Sequence, residues 1–148
     1  MNGNRRGNIM ANTGYTWGAW AFVANEDPAD WNASALADNA TEISGTANSL
    51  TGKAAAHISI TLAEDNTGAI DGVVTVYILG DCSTQYEEVT IGTPWAITIT
   101  PVQNDTVVKL IPVDPRDYEN IKVAIVNTSG QELAVSVKIQ TADIPLAS

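Results

Sequence analysis

The strongest constraint on the fold is a pattern of short extended segments that fills the chain from residue 54 to residue 140. Val, Ile and Thr are frequent in these segments, and clusters of Gly, Asn, Asp and Pro separate them at regular spacing. Residues 57–62 show the pattern most clearly, because Ile58, Ile60 and Leu62 fall on one face of an extended chain. Such alternation is typical of a strand with one face buried in a core.

The pattern predicts about seven strands and no confident helix. Residues 73–79 are apolar on parts of both faces, which predicts a central strand that ends at Gly80 and Asp81. Short strands are expected at residues 88–91, 95–100 and 107–111. Only residues 33–38 have a weak helical pattern.

The second half of the chain predicts two further features. Pro112 and Pro115 cannot donate hydrogen bonds to a neighbouring strand, so residues 112–117 are expected to form a connection or an edge. Residues 121–126 and 133–140 are expected to pair as a hairpin across a turn of Asn, Thr, Ser and Gly. Strands joined by such short turns predict an all-β fold, an antiparallel β-sandwich that is jelly-roll-like.

The first part of the chain has a different composition. The chain length predicts one domain, and we divide it into an N-terminal extension or arm (residues 1–39) and a β-sandwich domain (residues 40–148). Five of the nine aromatic residues lie near its start, among small and polar residues, which predicts either a first strand packed on the sandwich or an extended arm that inserts into a neighbouring subunit. As an arm, it gives these candidate partner-binding residues: Tyr15, Trp17, Trp20, Phe22 and Trp31.

The charge and the cysteine count exclude several classes of function. Acidic residues outnumber basic ones by 17 to 7, and a net charge of −10 would repel the phosphates of DNA or RNA. The single cysteine, Cys82, cannot form an intramolecular disulfide, which fits assembly in a reducing cytoplasm. No apolar run approaches the ~20 residues of a membrane span, and the first ten residues lack the apolar stretch of a secretory signal. Codons for Arg5-Arg6-Gly7 could form a ribosome-binding site, so Met10 is a hypothetical alternative start.

The residues offer little for catalysis or metal binding. The chain has one histidine and one cysteine and lacks the common nucleophile, zinc, phosphate and dinucleotide motifs. His57 belongs to the polar face of its strand, where a structural role is favoured over a catalytic one. Glu64, Asp65 and Asp71 supply oxygens that calcium accepts, but their spacing does not match a known calcium loop. We therefore expect no enzymatic activity, no cofactor and no metal, and thermal stability that EDTA does not change.

Residues 72–145 resemble a family of small β-sandwich structural proteins from tailed-phage virions. Residues 74–79 (VTVYIL) lead into a turn that ends in QYE at residues 85–87. Residues 111–118 (IPVDPRDY) form the connection typical of the family, and residues 127–133 (NTSGQEL) follow a later strand. Residues 40–43 and 50–53 also resemble the opening of the family.

The resemblance implies a non-enzymatic virion component, above all a capsid decoration or cement protein. Its partner would be the major capsid protein or another virion protein, in a homo-oligomer such as a trimer, without nucleic acid or membrane. Its location would be the virion, after assembly in the host cytoplasm. Tail, neck and fibre roles stay open, and so does a carbohydrate- or receptor-binding module, because β-sandwiches can stack sugars on exposed aromatic rings. Such a site would use Trp95, Tyr86 and Tyr118.

Overall fold

The computed structural model describes residues 15–24, 31–64, 68–82, 85–91 and 94–144. All regular secondary structure among these residues is β-strand, and every strand pairing is antiparallel. The strands are β1 (Thr16–Trp17), β2 (Ala21–Phe22), β3 (Ser34–Leu36), β4 (Thr41–Ile43), β5 (Asn48–Ser49), β6 (Lys53–Ala63), β7 (Val74–Cys82), β8 (Gln85–Tyr86), β9 (Trp95–Ile99), β10 (Thr106–Val113), β11 (Asn120–Asn127) and β12 (Leu133–Asp143).

The strands form two sheets that pack as a sandwich. Sheet I contains the series β3-β12-β6-β10, and sheet II contains β4-β11-β7-β9. Strands β1 and β2 extend the β3 side of sheet I, β5 pairs with β11, and β8 pairs with β7. Because successive strands repeatedly cross between the sheets, this order is that of a jelly roll. The predicted fold class, an all-β antiparallel sandwich, is confirmed.

The core lies between the two sheets and follows the alternation of the long strands. On β6 the predicted face, Ile58, Ile60 and Leu62, is fully buried, and the intervening residues are half-buried on the outside. Val123 and Ile125 of β11 contribute to the same core from the opposite sheet. Since each buried aliphatic side chain stabilises the fold by about 1.5–3 kcal/mol, the facing rows of these strands account for much of the stability.

Strand β7 is central in sheet II, as predicted, but it does not end at Gly80. The strand continues to Cys82, and a Cβ atom built on Gly80 would lie 2.6 Å from the ring of Tyr118. Glycine is therefore required at this position because an aromatic ring packs against the strand, and not because the chain turns. Beyond Cys82 the chain returns as β8, which pairs with β7.

Three predictions about local structure are wrong. The strands β11 and β12 do not form a hairpin, because they belong to different sheets and the connection between them crosses the sandwich. Residues 33–38 are not helical, since residues 34–36 pair with β12 as β3. The expected strand at residues 88–91 is reduced to one bridge between Glu88 and Ile91.

The N-terminal residues follow one edge of sheet I. Strands β1, β2 and β3 pair in succession with residues 142–143, 138–139 and 133–135 of β12. Strands thus lie both before and after the predicted boundary at residue 39. Buried side chains before this boundary, such as Leu36, belong to the same core as those after it. Residues 1–14 of the expected arm lie outside the described residues. No helix among the described residues is long and apolar enough to cross a membrane.

Candidate functional site

The outer face of sheet I is a broad surface that lacks acidic side chains among the described residues. The pairing of β10, β6 and β12 places Leu110, Ser59 and Lys138 in one row across the sheet. Further rows lie parallel to this one along the sheet. The first contains residues 112, 57 and 140, and the last contains residues 106, 63 and 134. None of the described outward residues in these rows is Asp or Glu. In a chain with 17 acidic residues, such a face fits contact with another molecule better than with bulk water.

Exposed apolar side chains border this face on both sides. On β10, Val108 and Leu110 are 64% and 50% exposed. Beside β12, Trp20 and Phe22 are 40% and 37% exposed. We call the surface between these two borders the sheet I face. Aromatic side chains around a flat apolar surface are the usual anchors of protein interfaces.

The N-terminal aromatic residues are held on the sheet I face by side-chain contacts. The ring of Trp17 stacks on the ring of His57, with 4.2 Å between the ring centroids and 19° between the ring planes. The Lys138 ammonium lies 4.7 Å from the centroid of the Phe22 ring, in a cation–π contact. The Gln140 side chain donates a hydrogen bond from Nε2 to the carbonyl oxygen of Gly18 (2.8 Å).

Trp31 does not belong to this group, and its selection as a partner-binding residue disagrees with the structure. It is only 1% exposed, and its Nε1 donates a hydrogen bond to Glu42 Oε2 (3.3 Å). Its backbone bonds to Val23 on one side and to Val137 on the other. Trp31 is a core residue because the strands on either side of it cover its ring, so it is not available to a partner in this fold. The first interpretation, a strand packed on the sandwich, thus applies to Trp31, and the pairing of β1 and β2 with β12 extends it to the backbone at Trp17 and Phe22.

A groove lies at one end of the sheet I face and has a volume of about 510 Å³. Its lining comprises Tyr15, residues 54–57 at the start of β6 and residues 112–116 at and after the end of β10. Arg116 donates from Nε to both carboxylate oxygens of Asp114 (3.1 Å each) and from Nη2 to Oδ2 (2.6 Å). These hydrogen bonds lower the pKa of Asp114 to about 2 and raise the pKa of Arg116.

The three residues proposed for a sugar site are not assembled into one site. Tyr86 pairs with Asp81 and lies under the Lys122 ammonium (5.0 Å to the ring centroid), whereas Tyr118 packs against Gly80. Since Gly80 and Asp81 are neighbours in one strand, these two rings lie on opposite sides of β7. Trp95 pairs with Ile78, whose side chain is in the core, so Trp95 is on the side of β7 opposite to Tyr86.

The two tyrosine hydroxyls have raised pKa values, mainly because of burial. Burial raises the pKa of Tyr86 most, and the Asp81 carboxylate adds to this effect. Burial also raises the pKa of Tyr118 most, followed by the nearby charges of Glu87 and Asp117. Both hydroxyls therefore stay protonated at neutral pH.

The acidic turn after β6 is partly structural. Glu64 is buried and its Oε2 accepts a hydrogen bond from the backbone N–H of Asn104 (2.6 Å), which joins this turn to the turn before β10. Asp71 is exposed, and Asp65 lies outside the described residues. Among the residues that the structure describes, no group of three His, Cys, Asp or Glu side chains could hold a metal ion.

Sequence reasoning missed Val108, Leu110 and the ion pair of Asp114 with Arg116 as surface features. The sequence predicted a strand at residues 107–111 but not which of its residues face outward, and the pairing of β10 with β6 places Val108 and Leu110 on the outer face. A signal for the ion pair was present, because an Asp two residues before an Arg in a proline-rich turn can pair locally.

Comparison with known proteins gives only a distant likeness. No protein-family model matches the chain, and no curated protein matches it. A solved structure described as "Bacillus endospore appendages form a novel family of disulfide-linked pili" is similar to this chain with a TM-score of 0.43 and 15% sequence identity. The similarity covers 90% of this chain and 94% of that one.

Proposed function

We propose that this chain is a non-enzymatic structural protein of a tailed-phage virion, a decoration protein that binds the capsid lattice through its sheet I face. The observation that carries the proposal is the combination of exposed Trp20 and Phe22 with exposed Val108 and Leu110 around an outer face without acidic residues. The resemblance of residues 72–145 to virion proteins is the reason for proposing a capsid protein as the partner.

The contacts of this face also explain why binding would be specific. Trp17 and Phe22 are not loose, because His57 and Lys138 hold their rings against the sheet. An interface whose aromatic anchors are already in place loses less side-chain entropy on binding. The acidic remainder of the molecule would keep neighbouring copies apart except where this face is engaged.

The test is co-sedimentation of the purified protein with emptied capsids and, separately, with tails from disrupted virions. We expect the wild-type protein to sediment with capsids. The double variant W20A/F22A should bind at least about 30-fold more weakly, since truncation of aromatic anchors often costs ~2 kcal/mol or more.

The chain offers a matched control for this experiment. Trp95 is 40% exposed, as is Trp20, but it belongs to β9 of sheet II. Trp95→Ala should leave binding to capsids unchanged. Sedimentation with tails and not with capsids would refute the decoration role, and equal losses for Trp95→Ala and W20A/F22A would show that the sheet I face is not the contact.

A further inference from the structure

We propose that the groove beside Tyr15 is a binding site for a neutral saccharide. The groove is lined by Tyr15, residues 54–57 and residues 112–116, and we call it the Tyr15 groove. Its volume of about 510 Å³ falls within the range of ~300–1,000 Å³ that is typical of small-molecule sites. The Tyr15 groove shares His57 and Pro112 with the sheet I face but does not include Trp20 or Phe22, so saccharide binding and lattice binding can be tested with different variants.

The charge of the Tyr15 groove favours a neutral ligand. Asp114 and Arg116 are its only residues with a formal charge at pH 7, and they form an ion pair with each other. An anion would compete with Asp114 for Arg116, and a cation would compete with Arg116 for Asp114. Although the protein has a net charge of −10, the groove has no net charge. Neither an anion nor a cation finds an unpaired opposite charge there, which favours an uncharged ligand.

The Asp114–Arg116 pair supplies exposed hydrogen-bonding groups. Arg116 uses Nε and one Nη2 hydrogen on Asp114 and also donates its backbone N–H to Asp114 Oδ1 (2.9 Å). Its remaining guanidinium hydrogens, and the free lone pairs of Asp114, are donors and acceptors in one plane. Adjacent hydroxyls of a sugar ring both donate and accept, so they match such a pair.

The apolar groups of the Tyr15 groove match the other part of a sugar. Tyr15 is 54% exposed, and Pro112 and Pro115 add ring surfaces without polar hydrogens. The C–H face of a sugar ring can pack on such rings while its hydroxyls reach the polar pair. His57 lines the same groove, and its stack on Trp17 fixes the orientation of the imidazole ring.

The backbone of the groove disfavours an extended peptide as the ligand. A peptide that adds to a sheet edge needs backbone N–H groups to bond with. Pro112 and Pro115 have none, and the Arg116 N–H is already used by Asp114. Backbone pairing is thus limited at these three positions, which suits a saccharide, recognised mainly by side chains, better than a peptide.

The experiment is an NMR titration of the full-length protein, labelled with nitrogen-15, with neutral monosaccharides and linear disaccharides of glucose, galactose, mannose and N-acetylglucosamine. We expect at least one of them to shift the amide signals of residues 54–57, 113, 114 and 116. Tyr15→Ala and Arg116→Lys should each weaken binding about tenfold, because the first removes a ring surface and the second removes the planar fork.

The matched control is Tyr86→Ala, which removes a partly exposed tyrosine from sheet II and should leave the affinity unchanged. Shifts confined to another surface, or no shifts with any of these sugars, would overturn the proposal. So would tighter binding of glucuronate than of glucose, which would indicate an anion site at Arg116. Binding of an acidic peptide to the same residues with no sugar response would indicate a peptide groove instead.

Discussion

Asn127 shows how one buried polar side chain can hold a connection between two sheets. It is fully buried, and its Nδ2 donates hydrogen bonds to the carbonyl oxygens of Leu36 (3.0 Å), Ala37 (3.2 Å) and Gln131 (2.8 Å). Its Oδ1 accepts from the backbone N–H (3.0 Å) and the hydroxyl (2.7 Å) of Ser129. The motif at residues 127–133 that suggested a virion family therefore has a structural role in this chain.

Replacement of this asparagine should be costly. Asn127→Ala removes the donor to the Leu36 carbonyl and the acceptor for the Ser129 groups, whereas the Ala37 and Gln131 carbonyls keep the Ala40 N–H and the Ser129 hydroxyl as donors. We expect a loss of about 3 kcal/mol in the free energy of unfolding. Urea unfolding followed by far-ultraviolet circular dichroism measures the loss. The exposed asparagine Asn32 provides the control, and Asn32→Ala should change stability by less than about 0.5 kcal/mol. Similar effects of the two variants would contradict the assigned role.

The pair of Asp114 and Arg116 makes a prediction about pH. Its hydrogen bonds lower the pKa of Asp114 from 3.8 to about 2 in the folded protein. The lowered pKa means that the pair stabilises the turn above pH 3.8, and that this contribution is lost as the pH falls through about 2. A carbon-13 NMR titration of the Asp114 carboxyl should have its midpoint at about 2 in the wild type and at a higher pH in Arg116→Ala, still below 3.8 because the backbone N–H of residue 116 continues to donate to Oδ1. An unchanged midpoint in the variant would show that Arg116 is not the cause.

At the scale of elements, the contact of Gly80 with Tyr118 joins β7 to the segment before β11. The Gly80 N–H donates to Glu87 Oε1 (2.9 Å), and the Tyr118 ring occupies the space of a Cβ atom. Gly80→Ala should therefore destabilise the fold by about 2 kcal/mol through overpacking. In a Tyr118→Ala background the same substitution should cost much less, because the ring is gone. Equal costs in the two backgrounds, measured by urea unfolding, would contradict this explanation.

Some of the strands can be predicted from the sequence, and others cannot. The positions of β6, β7 and β10 follow from their own residues, since a strand with one buried face repeats every two residues. The placement of β11 and β12 in different sheets cannot be predicted in this way. A connection that crosses the sandwich contains the same Asn, Ser and Gly residues as a hairpin turn. Strands of two or three residues, such as β1 and β3, are too short to show any period.

At the scale of the whole molecule, the candidate site depends on contacts that are distant in sequence. The sequence identified Tyr15, Trp20 and Phe22 as candidates because aromatic residues stand out among small ones. It could not separate them from Trp31, which is buried only because residues 31–36 return to β12 and cover the core. The Tyr15 groove likewise combines the N-terminal segment, the start of β6 and the turn after β10, which only the folded chain brings together.

The division of the N-terminal segment predicts different outcomes for two truncations. Deletion of residues 1–22 removes the exposed aromatic residues and the two-residue strands β1 and β2 but keeps Val23 and Trp31 in the core. This variant should stay folded by circular dichroism and lose binding to capsids. Deletion of residues 1–31 also removes Trp31, and the resulting cavity should lower the free energy of unfolding by about 3–5 kcal/mol. If both truncated proteins are unfolded, β1 and β2 are needed to cover the edge of β12. Loss of capsid binding by these variants would then reflect unfolding and would not support attachment through the N-terminal aromatic residues.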